Sequence, residues 1–258
     1  MKHSFLDKYS DGDSPVHRLD PRAKLLATLA FIAAVVLAPT ASWEAYGLFF
    51  AIIAVPVLFS RVPLPYILRR SLVIIPFVLL VAIFIPFFKE GEVAATANLW
   101  GWHISLTRSG LELMGSILAK SWLSILGLVL LTSTTAFPQL LKGMERLHIP
   151  GVMVMLLSFM YRYIFLLTDE VMRMKQARDS RSFGGKRLWQ VKTVGNMIGT
   201  LFIRSYERGE RVYASMVARG FDGHSRTLDS LHFRRMDAVF IAGISLALVG
   251  ISLFNILY

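Results

Sequence analysis

The stretch Ile149–Thr168, IPGVMVMLLSFMYRYIFLLT, is 20 residues long and carries one charge, Arg162. By length and hydropathy it would cross a bilayer as a helix, because about 20 apolar residues match the hydrocarbon thickness. The chain beyond it argues the other way. Fourteen lysines and arginines lie between Arg173 and Arg235, and translocating so basic a segment opposes the positive-inside rule. The stretch is therefore expected to lie in or against the membrane surface, or under another membrane protein, without spanning.

Outside it, five apolar runs remain in a chain of 258 residues that is 55% hydrophobic and 17% charged, with a mean hydropathy of +0.55. That balance is above what a soluble domain carries. The expected fold is an all-α integral membrane protein with five transmembrane helices and three cytoplasmic amphipathic helices, two of them long. An N-terminal membrane domain over 1–136 holds spans near 25–38, 45–59, 71–88 and 109–136. A cytoplasmic region covers 137–236, and a last span lies within 237–258. The first two spans are short, and Pro76 and Pro86 predict a kink in the third.

Alternating these spans from an inside N-terminus puts the C-terminus outside and distributes the 28 Lys and Arg unequally. Five lie in the N-terminal segment, three in the second cytoplasmic loop and 17 between Thr134 and Asp237; Lys89 and Arg108 alone fall outside. The positive-inside rule is met, and it absorbs the formal charge of +11, so no nucleic-acid partner is expected. The polar first 24 residues hold four aspartates, unlike a cleavable signal, and the first span reads as a retained anchor. With no cysteine, disulfides and thiolate metal sites are excluded.

In the cytoplasmic region a helix is expected from Val152 to Phe183, ended by Gly184 and Gly185, about 48 Å long at 1.5 Å per residue. A second runs from about Lys192 to Arg219 and stops at Gly220. A short third, PQLLKGMERL, opens at Pro138, which suits a first turn. Both long helices carry Ala-Arg at or near their C-terminal ends, at Ala177-Arg178 and Ala218-Arg219. An arginine there complements the helix dipole by about 0.3–1 kcal/mol. Occurring twice, it also fits a docking point, since the guanidinium is always charged and presents a planar fork to carboxylates.

Four stretches together resemble a known family: SPVHRLDPRAKLL (14–26), TSTTAFPQLLKGMERLHIP (132–150), ARDSR (177–181) and ARGF (218–221). They are similar to the transmembrane T component of energy-coupling factor transporters, nearest the CbiQ-type branch used for cobalt, over nearly the whole chain. The resemblance implies coupling helices that dock two ATP-binding-cassette ATPases through Ala177, Arg178, Arg181, Ala218, Arg219 and Gly220. Asp179 stands where the family's first motif has glycine, so both Arg178 and Arg181 are candidates for its main contact. The resemblance further implies a substrate-binding membrane subunit against the apolar faces, represented by Val152, Met155, Phe159, Leu201 and Phe202, and allows a small accessory membrane subunit. ATP and Mg²⁺ would belong to the ATPases, and the cargo would be cobalt, with nickel or a vitamin such as biotin as alternatives. The location implied is a bacterial or archaeal cytoplasmic membrane.

No phosphate loop is present, because SFGGKR (182–187) fails its spacing, so the chain is not expected to hydrolyse ATP or to bind a cofactor. The six histidines form no i, i+4 pair, and no metal site is expected. Glu112 and Lys120 stand within the fourth span, where ionisable groups are functional by default. Glu112 is near the outer end and Lys120 can face a neighbouring helix, so a structural role is expected. The alternative is a self-contained secondary transporter or channel using these two residues. A membrane enzyme gathering anionic substrates on the basic helices has the least support.

Overall fold

The computed structural model describes residues 9–10, 12–40, 42–88, 93–99, 102–181, 187–223 and 233–257. Among these the fold is all-α but for one hairpin. The helices are α1 (Pro21–Leu37), α2 (Trp43–Phe59), α3 (Leu64–Leu72), α4 (Ile75–Ala82), α5 (Ile85–Phe88), α6 (Arg108–Thr134), α7 (Phe137–Arg146), α8 (Gly151–Arg181), α9 (Arg187–Ala218) and α10 (Arg235–Leu257). Strands β1 (Val93–Leu99) and β2 (Trp102–Thr107) pair antiparallel between α5 and α6, within what reads from sequence as an outside loop. The chain divides into two compact units, residues 4–143 with 231–258, and residues 144–230 with the first three.

Four helical stretches, Leu64–Ala82, Arg108–Thr134, Gly151–Arg181 and Arg235–Leu253, are long and apolar enough to cross a membrane, and α2 is a shorter apolar helix. The expected third span, 71–88, is corrected: its helix begins at Leu64 and is broken after Leu72 and again after Ala82. Each break lies four residues before a proline, Pro76 or Pro86. The pyrrolidine ring supplies no N–H and clashes with the carbonyl at i−4, so the helix stops there and restarts.

The core of the larger unit is built around α6, with Leu123, Leu126, Val129 and Leu130 buried against Phe31 and Val35 of α1 and Phe49 and Ile53 of α2. Leu248 and Ile251 of α10 complete it. Where α6 meets α5, a Cβ on Gly110 would lie 2.6 Å from the Pro86 Cα. Only glycine permits that approach.

The motif residues of SPVHRLDPRAKLL and TSTTAF meet in a buried polar node at the end of this unit where α1 and α10 begin. Asp20 is the N-cap of α1 and accepts a hydrogen bond from the Arg22 N–H at 2.9 Å, with Pro21 in the first turn. Asp237, 2% exposed, accepts from the backbone N–H of Asp20 at 2.8 Å and of Arg234 at 2.7 Å. One carboxylate thus satisfies the N-cap groups of both the first and the last helix. Lys24, 3% exposed, donates to the carbonyls of His17 at 3.3 Å and Thr134 at 2.9 Å, tying the N-terminal segment to the end of α6. In that segment the His17 Nε2 lies 2.9 Å from the Tyr9 carbonyl, which can only accept. Nε2 is therefore the donor to Tyr9, and in the neutral ring Nδ1 accepts from the Ser14 hydroxyl at 2.6 Å.

Candidate docking site on two long helices

The unit of residues 144–230 is dominated by α8 and α9, of 31 and 32 residues. The first begins one residue before its expected start and ends at Arg181; its expected cap at Gly184 and Gly185 lies outside the described residues. The second begins at Arg187 and ends at Ala218. Just ahead of them α7 closes on His148 at φ 67°, with the Ile149 N–H bonded to the Met144 carbonyl at 3.3 Å.

The end of α9 is a built feature. Gly220 takes φ +80°, the Phe221 N–H bonds the Met216 carbonyl at 3.1 Å, and the Gly220 N–H bonds the Val217 carbonyl at 2.9 Å. These two bonds are the Schellman pair that closes a helix through a left-handed residue. Arg219 is held at the C-cap between them, exposed, with Ala218 and Gly220 exposed on either side. A Gly220→Val substitution forces a β-branched residue into the left-handed region, at roughly 1–2 kcal/mol. It is expected to fray the last turn and weaken binding at Arg219 although that side chain is intact, a loss readable by titrating the variant with its partner.

The end of α8 differs. Arg178 donates from Nε at 2.9 Å and Nη2 at 2.7 Å to the Asp179 Oδ1, so its fork has an acceptor within the chain. Ala177 and Arg181 are exposed. Arg178 is half-buried and Asp179 exposed, and an ion pair so open to solvent is worth about 0–1 kcal/mol, little resistance to a competing carboxylate.

The apolar residues assigned from sequence divide between open and covered positions. Val152 and Phe202 are 56% and 68% exposed, whereas Met155, Phe159 and Leu201 are half-buried. Sequence reasoning missed Leu156, Met160 and Ile164, which with Val152 form an exposed i, i+4 row on α8. On α9 Ile198 and Tyr213, apolar positions already legible from their helical spacing, stand open with Phe202, and the row also holds Tyr206, which the spacing did not single out. The spacing was legible; the facing was not, because it depends on how α8 and α9 meet. They meet beside a cleft of about 330 Å³ lined by Tyr163, Leu166, Leu167 and Glu170 of α8 and Leu201, Arg204 and Arg208 of α9. Glu170 accepts from Arg173 at 2.7 Å and from Arg204 across the helices.

Glu112 and Lys120 are not brought together into a site. Glu112 pairs with Arg108 one turn earlier at 3.7 Å, both side chains being more than half exposed. Lys120 donates to the carbonyls of Val36 at 3.0 Å and Ala38 at 2.6 Å, capping the end of α1, which is where a cation complements the helix dipole. Lys120→Met is expected to lower stability by about 1.5–3 kcal/mol, the worth of hydrogen bonds to a charged group. Uptake per folded molecule should not change, as thermal denaturation and a transport assay would record.

Among the described residues no three His, Asp or Glu side chains gather as a metal site; His3, His224, His232 and the side chain of His103 lie outside them. The family model described as CbiQ, cobalt transport protein, matches residues 12–228. The energy-coupling factor transporter transmembrane protein EcfT of Listeria innocua is 32% identical over 235 residues, covering 86% of each chain. The protein of the same name from Clostridium kluyveri is 30% identical over 99% of this chain and 97% of its own. An uncharacterized protein of Methanocaldococcus jannaschii is 27% identical over 92% of this chain. The family model covers most of the chain and both EcfT relatives are at least 30% identical over most of it, so the chain belongs to the CbiQ family as a multi-pass transmembrane component of an energy-coupling factor transporter.

Proposed function

We propose that this chain is the non-catalytic scaffold that passes the motion of two ATP-binding-cassette ATPases to a substrate-binding membrane subunit, with cobalt as the cargo. The observation that carries this reading is the pair of long helices presenting guanidiniums at their ends, Arg219 in a Schellman cap and Arg178 with Arg181 in the last turn of α8. Each ATPase would take one helix end in a groove bearing a carboxylate. Separation or closure of the two ATPases would then change the angle between α8 and α9, and the exposed apolar rows would carry that change to the membrane partner. ATP and Mg²⁺ stay on the ATPases. The basic residues from Arg173 to Arg235 support a cytoplasmic position for this unit, an inside N-terminus and an outside C-terminus, with α8 lying at the membrane surface. Cobalt is supported by the description of the family.

Vesicles containing this chain alone are compared with vesicles containing it and its co-purified partners. Uptake of cobalt is expected only in the second, and only with ATP. Uptake by the chain alone would return Glu112 and Lys120 to consideration as transport groups, and uptake of nickel or biotin in place of cobalt would correct the cargo.

A further inference from the structure

Two helices of this length usually fix their crossing by burying side chains, yet Val154 is the one buried residue of α8 and α9 among those described. Glu170 takes that role instead. It lies on α8 with its side chain 18% exposed, accepts from Arg173 on its own helix with one oxygen, and from Arg204 of α9 with the other. Beside this clamp is the cleft of about 330 Å³, which also receives Arg208. Arg208 stands one helical turn beyond Arg204 on the same face of α9, is half-buried, and has no acidic partner among the described residues. The nearby Glu207 pairs at 3.8 Å with Arg211. A half-buried guanidinium with no acidic partner among the described residues thus stands beside the cleft, one helical turn from a held carboxylate. Packed helices move between discrete seats by one-turn steps of about 5.4 Å.

We propose that Glu170 is a movable clamp between the two coupling helices, seated on Arg204 in the structure described and on Arg208 after a one-turn displacement of α8 along α9 during transport. The proposal rests on the scaffold reading above. It makes Glu170, Arg204 and Arg208 positioning residues: the clamp keeps the helices crossed while the cleft gives room for them to shift. About eight residues separate Glu170 from Arg178 and fifteen separate Arg204 from Arg219, lever arms of roughly 12 Å and 22 Å at 1.5 Å per residue.

The test uses the full transporter, purified through this chain and placed in vesicles, comparing Arg208→Gln, Arg208→Lys and Glu170→Gln with the wild type. Three quantities are read: ATPase recovery, thermal midpoint, and cargo moved per ATP hydrolysed. Arg208→Gln is expected to keep recovery and midpoint, because Arg208 has no acidic partner among the described residues, while cargo per ATP falls roughly tenfold, the lower range for losing a hydrogen bond to a charged group. Arg208→Lys should retain most of the coupling, and Glu170→Gln should lose it as Arg208→Gln does. A purely structural role for Arg208 predicts no change in cargo per ATP, and that result would overturn the clamp. Loss of ATPase recovery in Arg208→Gln would also overturn it, by making Arg208 a docking residue. If the wild type itself recovers no ATPase, the scaffold reading fails first and the clamp falls with it, an outcome separable from the other two.

Discussion

Replacing Asp237 with alanine is expected to destabilise the membrane unit by about 3–5 kcal/mol, the range for breaking a buried charge network by removing one member. The carboxylate is 2% exposed and accepts from the N–H groups of Asp20 and Arg234. Its loss strands the buried Asp20 N–H, at about 1–3 kcal/mol, and leaves the partly buried Arg234 N–H without its carboxylate. It also removes one of the two carboxylates, Asp20 and Asp237, that offset the buried Lys24 ammonium. Thermal denaturation in mild detergent should show a midpoint lowered by about 6–20 °C. Asp237→Asn keeps an acceptor but loses the charge, so it should fall between alanine and the wild type. A midpoint within about 2 °C of wild type for the alanine variant, below the smallest shift expected for a chain of this size, would mean that the node does not hold the first and last helices together.

Arg219→Ala should act on assembly and leave stability almost unchanged. The side chain is exposed at the C-cap of α9, and exposed substitutions of this kind shift stability by no more than about 0.5 kcal/mol. Against an ATPase carboxylate the same change removes one side of a desolvated charge pair, at about 2–5 kcal/mol, or roughly 30-fold to several thousand-fold in Kd. Titration of the purified chain with its ATPases reads this directly. Arg178→Ala alone should cost less, because Asp179 already shares that guanidinium and Arg181 stays open three residues on. Equal affinity of wild type and Arg219→Ala would remove Arg219 from the interface.

The membrane helices were legible because their signals are local. Hydrophobic runs, the prolines that start α3 and break it from α4, and the Gly220 stop after α9 each act within a few residues. The third span was mistaken in its bounds for the same reason: Pro63 and Pro65 start a helix at Leu64, but Arg69 and Arg70 within it read as loop. Asp20, Lys24 and Thr134 stand in the family-like stretches and Asp237 does not, and the node they form is not legible because Asp20, Thr134 and Asp237 are about 100 residues or more apart in sequence and nothing in composition pairs them. Lys120 was readable as structural only in outline; that it caps α1 requires knowing that α6 passes the α1 terminus. The two Ala-Arg stretches were visible in the sequence, whereas the pairing of Glu170 with Arg204 was not, because partners 34 residues apart leave no local sign of each other.

If both long helices are pinned to separate ATPases through their arginine ends, a mild-detergent pull-down of the tagged chain from its native membranes will show it, wild type beside the double variant Arg178→Ala, Arg219→Ala. ATPase subunits and a substrate-binding membrane protein are expected to accompany the wild type, and the ATPases to be lost from the double variant while the membrane protein remains. A wild-type chain that emerges alone, or ATPases retained in full by the double variant, would contradict it.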